Sequence, residues 1–132
     1  MSLTITKGIK ALLSEADKVV TTISVDEAKA LLGSQDHVFV DLRDFREIKR
    51  EGKVPDAFSC PRGMHEFWVD PESPYHKEIF ATGKTYVLYC ASSWRSALAV
   101  KTLMEMGMMS AVHFHGGFSS WKKEGGPVEA VA

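Results

Sequence analysis

The chain has 132 residues, a formal net charge of -1, 45% hydrophobic and 25% charged residues, so one soluble globular domain with a single sizeable core is expected. No basic stripe for nucleic acid and no apolar run long enough to cross a membrane is present. Two cysteines, Cys60 and Cys90, are too few for a disulfide scaffold and read as reduced thiols, which points to the cytoplasm. The opening MSLTITKGIK lacks the apolar core of a signal peptide, in line with that expectation.

Ile9, Leu12, Leu13, Ala16 and Val20 fall at helical spacing, so an amphipathic helix is predicted over 5–18, as an N-terminal extension of residues 1–20. TTI at 21–23 reads as a short edge strand. Ser24 with Glu27 three residues later forms a capping box that opens a helix through Leu32, and Gly33 stops it. HVFVDL (37–42) is a buried strand ending at Asp41, and RDFREIKREG (43–52) a charged surface helix. VPDAFSCP (54–61) holds a turn and a brief strand. In 62–80 two prolines interrupt the pattern, and short helices are expected near 63–68 and 74–80. TYVLYC (85–90) is a second buried strand, followed by a largely buried helix from Arg95 to Met106 that Gly107 caps. SAVHFH (110–115) is a further strand. Gly116-Gly117 turns into a last helix over 117–124, and GGPV closes it. This alternation argues an α/β domain with a mainly parallel central sheet over 21–128, then a short tail, 129–132.

In such a sheet, ligands bind beyond the carboxyl ends of the strands. Cys90 ends a strand there, and a helix begins about five residues later. The amides of Ala91, Ser92, Ser93, Trp94, Arg95 and Ser96 can curl into an anion cradle at the helix N-terminus. Arg95 adds a permanent positive charge, and the serines add hydroxyl donors or a cap. A free cysteine has a pKa of about 8.5 and is only about 3% thiolate at neutral pH, so a nucleophilic cysteine needs such surroundings. A helix terminus alone contributes about 0.3–1 kcal/mol, so the loop amides and Arg95 must share the work. The alternative is a buried structural cysteine, the commonest fate of a free thiol.

Here the chain resembles the rhodanese-type sulfurtransferases. C90-A-S-S-W-R-S96 is similar to the family's Cys-x-x-x-x-Arg-Ser active-site loop. VFVDLRD (38–44) resembles its strand ending in Asp-x-Arg. EGKVPDAFSCPRG (51–63) resembles its Gly-His-Ile-Pro-Gly-Ala segment, and HGGFSSWKKEGGPV (115–128) its Gly-Gly-x-x-x-Trp helix and Gly-x-Pro tail. The resemblance covers about 21–128 and implies a three-layer α/β/α rhodanese-like fold with an extra N-terminal helix. It implies that Cys90 is the catalytic nucleophile, taking the outer sulfur of a small anionic donor such as thiosulfate as a persulfide and passing it to cyanide or a thiol, protein thiols included. No metal or organic cofactor is implied. It further implies that Asp41 supports the loop by accepting hydrogen bonds; a surface or capping carboxylate is the alternative. Related phosphatases and arsenate reductases carry a loop one residue longer than the six from Cys90 to Arg95. Three departures stand out: Ser93 where the family usually has glycine, Lys53 where it often has histidine, and Asp56 where it often has glycine. If position 93 needs a positive φ, a serine there is strained.

Other residues have two readings each. Arg43 either attracts an anionic donor or is a solvated helix charge. Trp94 either walls the pocket or contacts a partner, or packs on 64–80. Cys60 is a small core residue or a partner in thiol redox chemistry with Cys90. His113 and His115 point the same way in a strand, but two ligands are too few for a metal. The N-terminal helix packs on the domain or mediates a homodimer, monomer and homodimer both being compatible with the sequence. The alternatives to sulfur transfer are a non-catalytic interaction module that keeps the fold, an arsenate reductase or phosphatase, and a redox sensor or thiol oxidoreductase using Cys60.

Overall fold

The computed structural model describes residues 2–132, so Met1 of the N-terminal extension lies outside it. Five strands form one parallel sheet: β1 (Thr22–Ile23), β2 (His37–Asp41), β3 (Phe58–Ser59), β4 (Thr85–Tyr89) and β5 (Ala111–Phe114), in the order β1-β5-β4-β2-β3. Six α-helices connect them: α1 (Ile9–Val19), α2 (Val25–Ala30), α3 (Phe45–Glu51), α4 (His65–Val69), α5 (Trp94–Glu105) and α6 (Gly117–Lys123).

Side chains alternate across the central strand β4, as the strand period requires. Tyr86 and Leu88 enter a core shared with Ala16 of α1, Val69 of α4, and Ala97, Val100 and Leu103 of α5. Val87 and Tyr89 enter the opposite core, with Val25 and Ala28 of α2 and Phe118 and Trp121 of α6. The sheet is thus covered on both faces, which a parallel sheet demands, and the fold is the three-layer α/β/α arrangement expected.

Local sequence explains the helix starts. Ser24 and Glu27 make the capping box read from the sequence, each side chain bonding the other's backbone N–H at 3.0 Å. A second box, Asp44 with Glu47, opens α3. The closing GGP segment packs on Trp121: its indole Nε1–H donates to the Pro127 carbonyl at 2.7 Å, and a Cβ on Gly126 would collide with the ring. The tail is not loose, because Lys53 and Glu129 pair as an antiparallel bridge and Glu129 accepts the Asp56 N–H at 2.9 Å. That bond steadies Asp56 at φ 62, the left-handed conformation for which a glycine is the easier residue.

Two expectations need correction. The N-terminal helix begins at Ile9, not at residue 5, and buries Ala16 and Val20 while Ile9 and Leu12 stay exposed; the β-branched Thr4, Ile5 and Thr6 and the extended Gly8 do not start it earlier. It packs along α5. Over 74–80 no α-helix forms. Only a 3-10 turn spans Glu78–Ala81, since Pro74 removes a donor and disfavours helix in the residue before it.

Arg43 is neither solvated nor at a pocket mouth: it is fully buried on the α6 side of the sheet. Residues i and i+2 at the end of a strand share a face, and Arg43 meets Asp41 there. Its Nε and Nη2 donate to the two carboxylate oxygens at 3.0 and 2.8 Å, and Nη2 also donates to the Gly52 carbonyl at 2.7 Å. The guanidinium stacks 4.1 Å from the Phe118 ring centroid. Tyr89 donates its hydroxyl to Asp41 at 2.6 Å and accepts the Val54 N–H. Burial, reinforced by the Asp41 carboxylate, pushes the Tyr89 phenol well above its ordinary range, so it remains a donor. Removing one partner of a buried pair strands the other charge. Arg43→Met is therefore expected to lower the unfolding free energy by about 3–5 kcal/mol, and Tyr89→Phe by about 1–3 kcal/mol; urea unfolding of each variant measures both.

Candidate active site

All strands run the same way, so Cys90 at the end of β4 opens onto the carboxyl edge of the sheet. The loop from Cys90 to Arg95 turns there into α5. Any helix leaves its first N–H groups without an internal partner. In α5 one of these, the Ser96 N–H, points at Cys90 Sγ at 3.3 Å, and the Ser96 hydroxyl lies 3.7 Å from the same sulfur. Cys90 itself is fully buried at the base of the loop.

The loop is held from the side of α6. The Phe118 N–H donates to the Cys90 carbonyl at 2.7 Å and the Ser119 N–H to the Ala91 carbonyl at 3.1 Å. Gly117 sits at φ 59 against this segment, where a Cβ would come within 2.5 Å of the Cys90 carbonyl oxygen. The glycine pair is thus more than a turn: its second member makes room for the loop.

Ser93 does adopt the left-handed conformation, at φ 81. Its side chain explains how. The hydroxyl accepts the Gly116 N–H at 2.6 Å and reaches the Phe114 carbonyl at 3.4 Å. The strain of a non-glycine residue there, about 1–3 kcal/mol, is offset in part by bonds glycine cannot make.

Arg95 does not stand free beside the thiol. Nη1 and Nη2 each donate to Glu47 at 2.9 Å, a bidentate pair. Glu47 is available because the second capping box fixes it at the start of α3. The Arg95 guanidinium, with help from the Asp44 N–H, holds the Glu47 carboxyl below its ordinary range. The Arg95 charge is therefore largely matched, and the polar groups placed against the Cys90 sulfur are the Ser96 N–H and the Ser96 hydroxyl.

Asp41 accepts no hydrogen bond from the loop. Its acceptors serve Arg43 and Tyr89, and it is linked to the loop through Tyr89, which precedes Cys90, and through Arg43, Phe118 and the Phe118 N–H. Trp94 is 56% exposed and lines a cavity of about 450 Å³ beside the loop. Cys60 ends β3, separated from Cys90 by the whole of β2. Two strand spacings, roughly 9.5 Å, exceed the Cα separation of about 4.4–6.8 Å that a disulfide spans. Burial also pushes the Cys60 thiol up to about 12, so it stays protonated.

A residue not assigned from the sequence completes the site. His113 is buried, with Nδ1 2.8 Å from the Ser96 hydroxyl and Nε2 2.9 Å from the Thr22 hydroxyl. Its only sequence signal is its place on the inward face of a strand. Among the described residues, no three His, Cys, Asp or Glu side chains gather as a metal site would require.

A family model for the rhodanese-like domain matches residues 24–124. The chain belongs to the rhodanese-like family. A protein of unknown function from Rhodopseudomonas palustris, described as a possible tyrosine phosphatase, is 53% identical and superposes with a TM-score of 0.95 over 98% of this chain and 99% of its own. The helix α1, outside the family match, falls within that superposition. A rhodanese-related protein from Thermoplasma volcanium gives a TM-score of 0.69 at 26% identity, over 84% of this chain and 99% of that one. The mouse thiosulfate sulfurtransferase/rhodanese-like domain-containing protein 3 is 29% identical over 75% of this chain, which spans 66% of that relative's length. In this rhodanese-like domain, no described helix is long and apolar enough to cross a membrane.

Two outcomes follow from the loop's supports. Ser93→Ala keeps the strained backbone and loses the Gly116 bond, and is expected to cost about 1–2 kcal/mol, whereas Ser93→Gly relieves the strain and costs less; thermal unfolding of the pair ranks them. Glu47→Gln keeps a capping acceptor but removes the ion pair. Because the folded-state pKa of Glu47 is lowered, the stability advantage of the native residue is full above roughly pH 5 and disappears as pH falls through the lowered carboxylate range. Unfolding at several pH values compares the two proteins directly.

Proposed function

We propose that the domain is a sulfurtransferase working through a persulfide on Cys90. What supports this reading most is the placement of the Cys90 sulfur at the base of a six-residue loop, against the Ser96 N–H and the start of α5, in a chain of the rhodanese-like family. The Cys90 thiolate attacks the outer sulfur of a donor such as thiosulfate. The donor's sulfur–sulfur bond breaks, its electron pair leaves with sulfite, and Cys90 carries a persulfide anion. Cyanide or an acceptor thiolate, on a small molecule or a protein, then attacks the outer persulfide sulfur. The bond to Cys90 breaks, the thiolate is regenerated, and thiocyanate or a new persulfide departs. The N–H groups of the loop stabilise the anionic sulfur in both states. The cycle uses no metal or organic cofactor and requires a reduced thiol, which suits the cytoplasm.

A second reading rests on the description of the Rhodopseudomonas protein as a possible tyrosine phosphatase. There Cys90 would take a phosphoryl group in place of sulfur.

Intact mass after incubation with thiosulfate separates the readings. The expected result is a gain of one sulfur atom in the native protein, absent from Cys90→Ser and removed by cyanide. No adduct with any sulfur donor, together with Cys90-dependent hydrolysis of an aryl phosphate, would decide for the phosphatase.

A further inference from the structure

A fully buried thiol that acts as a nucleophile needs somewhere to send its proton. The Cys90 S–H lies 3.7 Å from Ser96 Oγ, and Ser96 Oγ lies 2.8 Å from His113 Nδ1. The competing acceptor for the Ser96 hydroxyl, the Ser93 carbonyl, is farther at 3.2 Å. On the other side of the ring, Nε2 is 2.9 Å from Thr22 Oγ1 on the edge strand β1. One set of donor directions satisfies all three contacts: S–H to Oγ, O–H to Nδ1, and Nε2–H to the Thr22 oxygen. In that arrangement Thr22 accepts from Nε2–H and Nδ1 is the basic nitrogen.

We propose that His113 is a positioning residue for the Cys90 nucleophile, accepting through the Ser96 hydroxyl the proton that the thiol sheds. The transfer is balanced within the chain. The Cys90 proton goes to Ser96 Oγ as the Ser96 proton goes to Nδ1, leaving a thiolate that retains the Ser96 N–H and a positively charged imidazole. No electron is gained or lost and no co-reactant is needed. Burial keeps the resting ring neutral by lowering the His113 pKa, so Nδ1 is free to accept.

Burial disfavours the charged ring most, and two neighbouring groups act on it as well. His113 lines the cavity of about 450 Å³ together with Asp17 of α1, Thr22, Trp94 and His115. Asp17 favours the imidazolium, and His115 opposes it. These are the titratable groups facing the ring from α1 and from the end of its own strand; Ser96 and Thr22 face it from α5 and β1 without charge. The helix α1 lies outside the family match, so this chain adds Asp17 to the surroundings of the ring from its own extension.

The test titrates the ultraviolet absorbance of the thiolate against pH, in the native protein and in His113→Asn, each corrected with its Cys90→Ser counterpart so that tyrosines and Cys60 cancel. It needs no sulfur donor, so its failure leaves the persulfide reading standing, and failure to form a persulfide leaves this result standing. Asparagine retains a hydrogen-bond acceptor but no base. The expected outcome is a rise in absorbance displaced to higher pH, with roughly tenfold less thiolate at neutral pH. Thr22→Val, an exposed edge position, removes only the partner of Nε2 and is expected to give a smaller shift in the same direction. A folded His113→Asn protein, checked by circular dichroism, that titrates as the native protein does would overturn the proposal. If His113→Asn does not fold, an unshifted Thr22→Val curve overturns it in the same way.

Discussion

The buried guanidinium of Arg43 ties together several elements of the fold. A buried charge must be paired and its donors satisfied, or its desolvation cost is not recovered. Meeting that condition brings together the end of β2 through Asp41, the end of α3 through the Gly52 carbonyl, β4 through Tyr89, and α6 through the face of Phe118. The same Phe118 donates its backbone N–H to the Cys90 carbonyl. The charge pair lies on one face of the sheet and the Cys90 sulfur is engaged by α5 on the other, so the pair influences the loop by fixing the backbone under it, not by direct contact.

That backbone is under tension of a definite kind. Ser93 occupies a conformation that suits glycine, and Gly117 presses against the loop's first peptides. The two features belong together. The Ser93 hydroxyl accepts the N–H of Gly116, so the loop and the β5–α6 turn are tied at both of their closest points. A glycine at position 93 would remove the strain and one of the ties. Serine trades conformational ease for a loop that is anchored to α6 independently of any ligand.

Much of this was legible in the sequence, and the parts that were not share a cause. The strand–loop–helix order, the Ser24 capping box and the place of Cys90 at a strand end all depend on local periodicity and turn chemistry, which neighbouring residues carry, while the positive φ at Ser93 was raised only as a condition, by the glycine usual there in the family it resembles. Arg43 misled because RDFREIKR has the composition of a solvated helix. The informative signal was its spacing from Asp41, two residues along a strand end, which puts both side chains on one face. The role of Glu47 was hidden for a related reason. Its capping-box partner Asp44 lies three residues away, but its second partner, Arg95, lies 48 residues away across the sheet. His113 contacts residues from β1 and α5, and no local pattern reports such a meeting. The segment 74–80 failed differently: a short helix was expected past the break at Pro71 and Pro74, and only the 3-10 turn Glu78–Ala81 forms.

The pairing of Arg95 with Glu47 bears on what kind of anion the loop favours. Had Arg95 been free, a net positive charge would stand beside the sulfur and attract multiply charged anions over distances set by ionic screening. With the charge matched, the remaining stabilisation comes from N–H and O–H dipoles that act at contact and reward an atom able to enter a six-residue loop. A single outer sulfur bonded to Sγ meets that geometric demand with one small anionic atom. A phosphoryl group brings three equatorial oxygens and more charge, and Arg95 is already engaged by Glu47. On the proposed persulfide reading, the Glu47–Arg95 pair would favour sulfane sulfur over phosphate by fixing where the guanidinium points, through a residue on α3 that makes no hydrogen bond to the Cys90 sulfur.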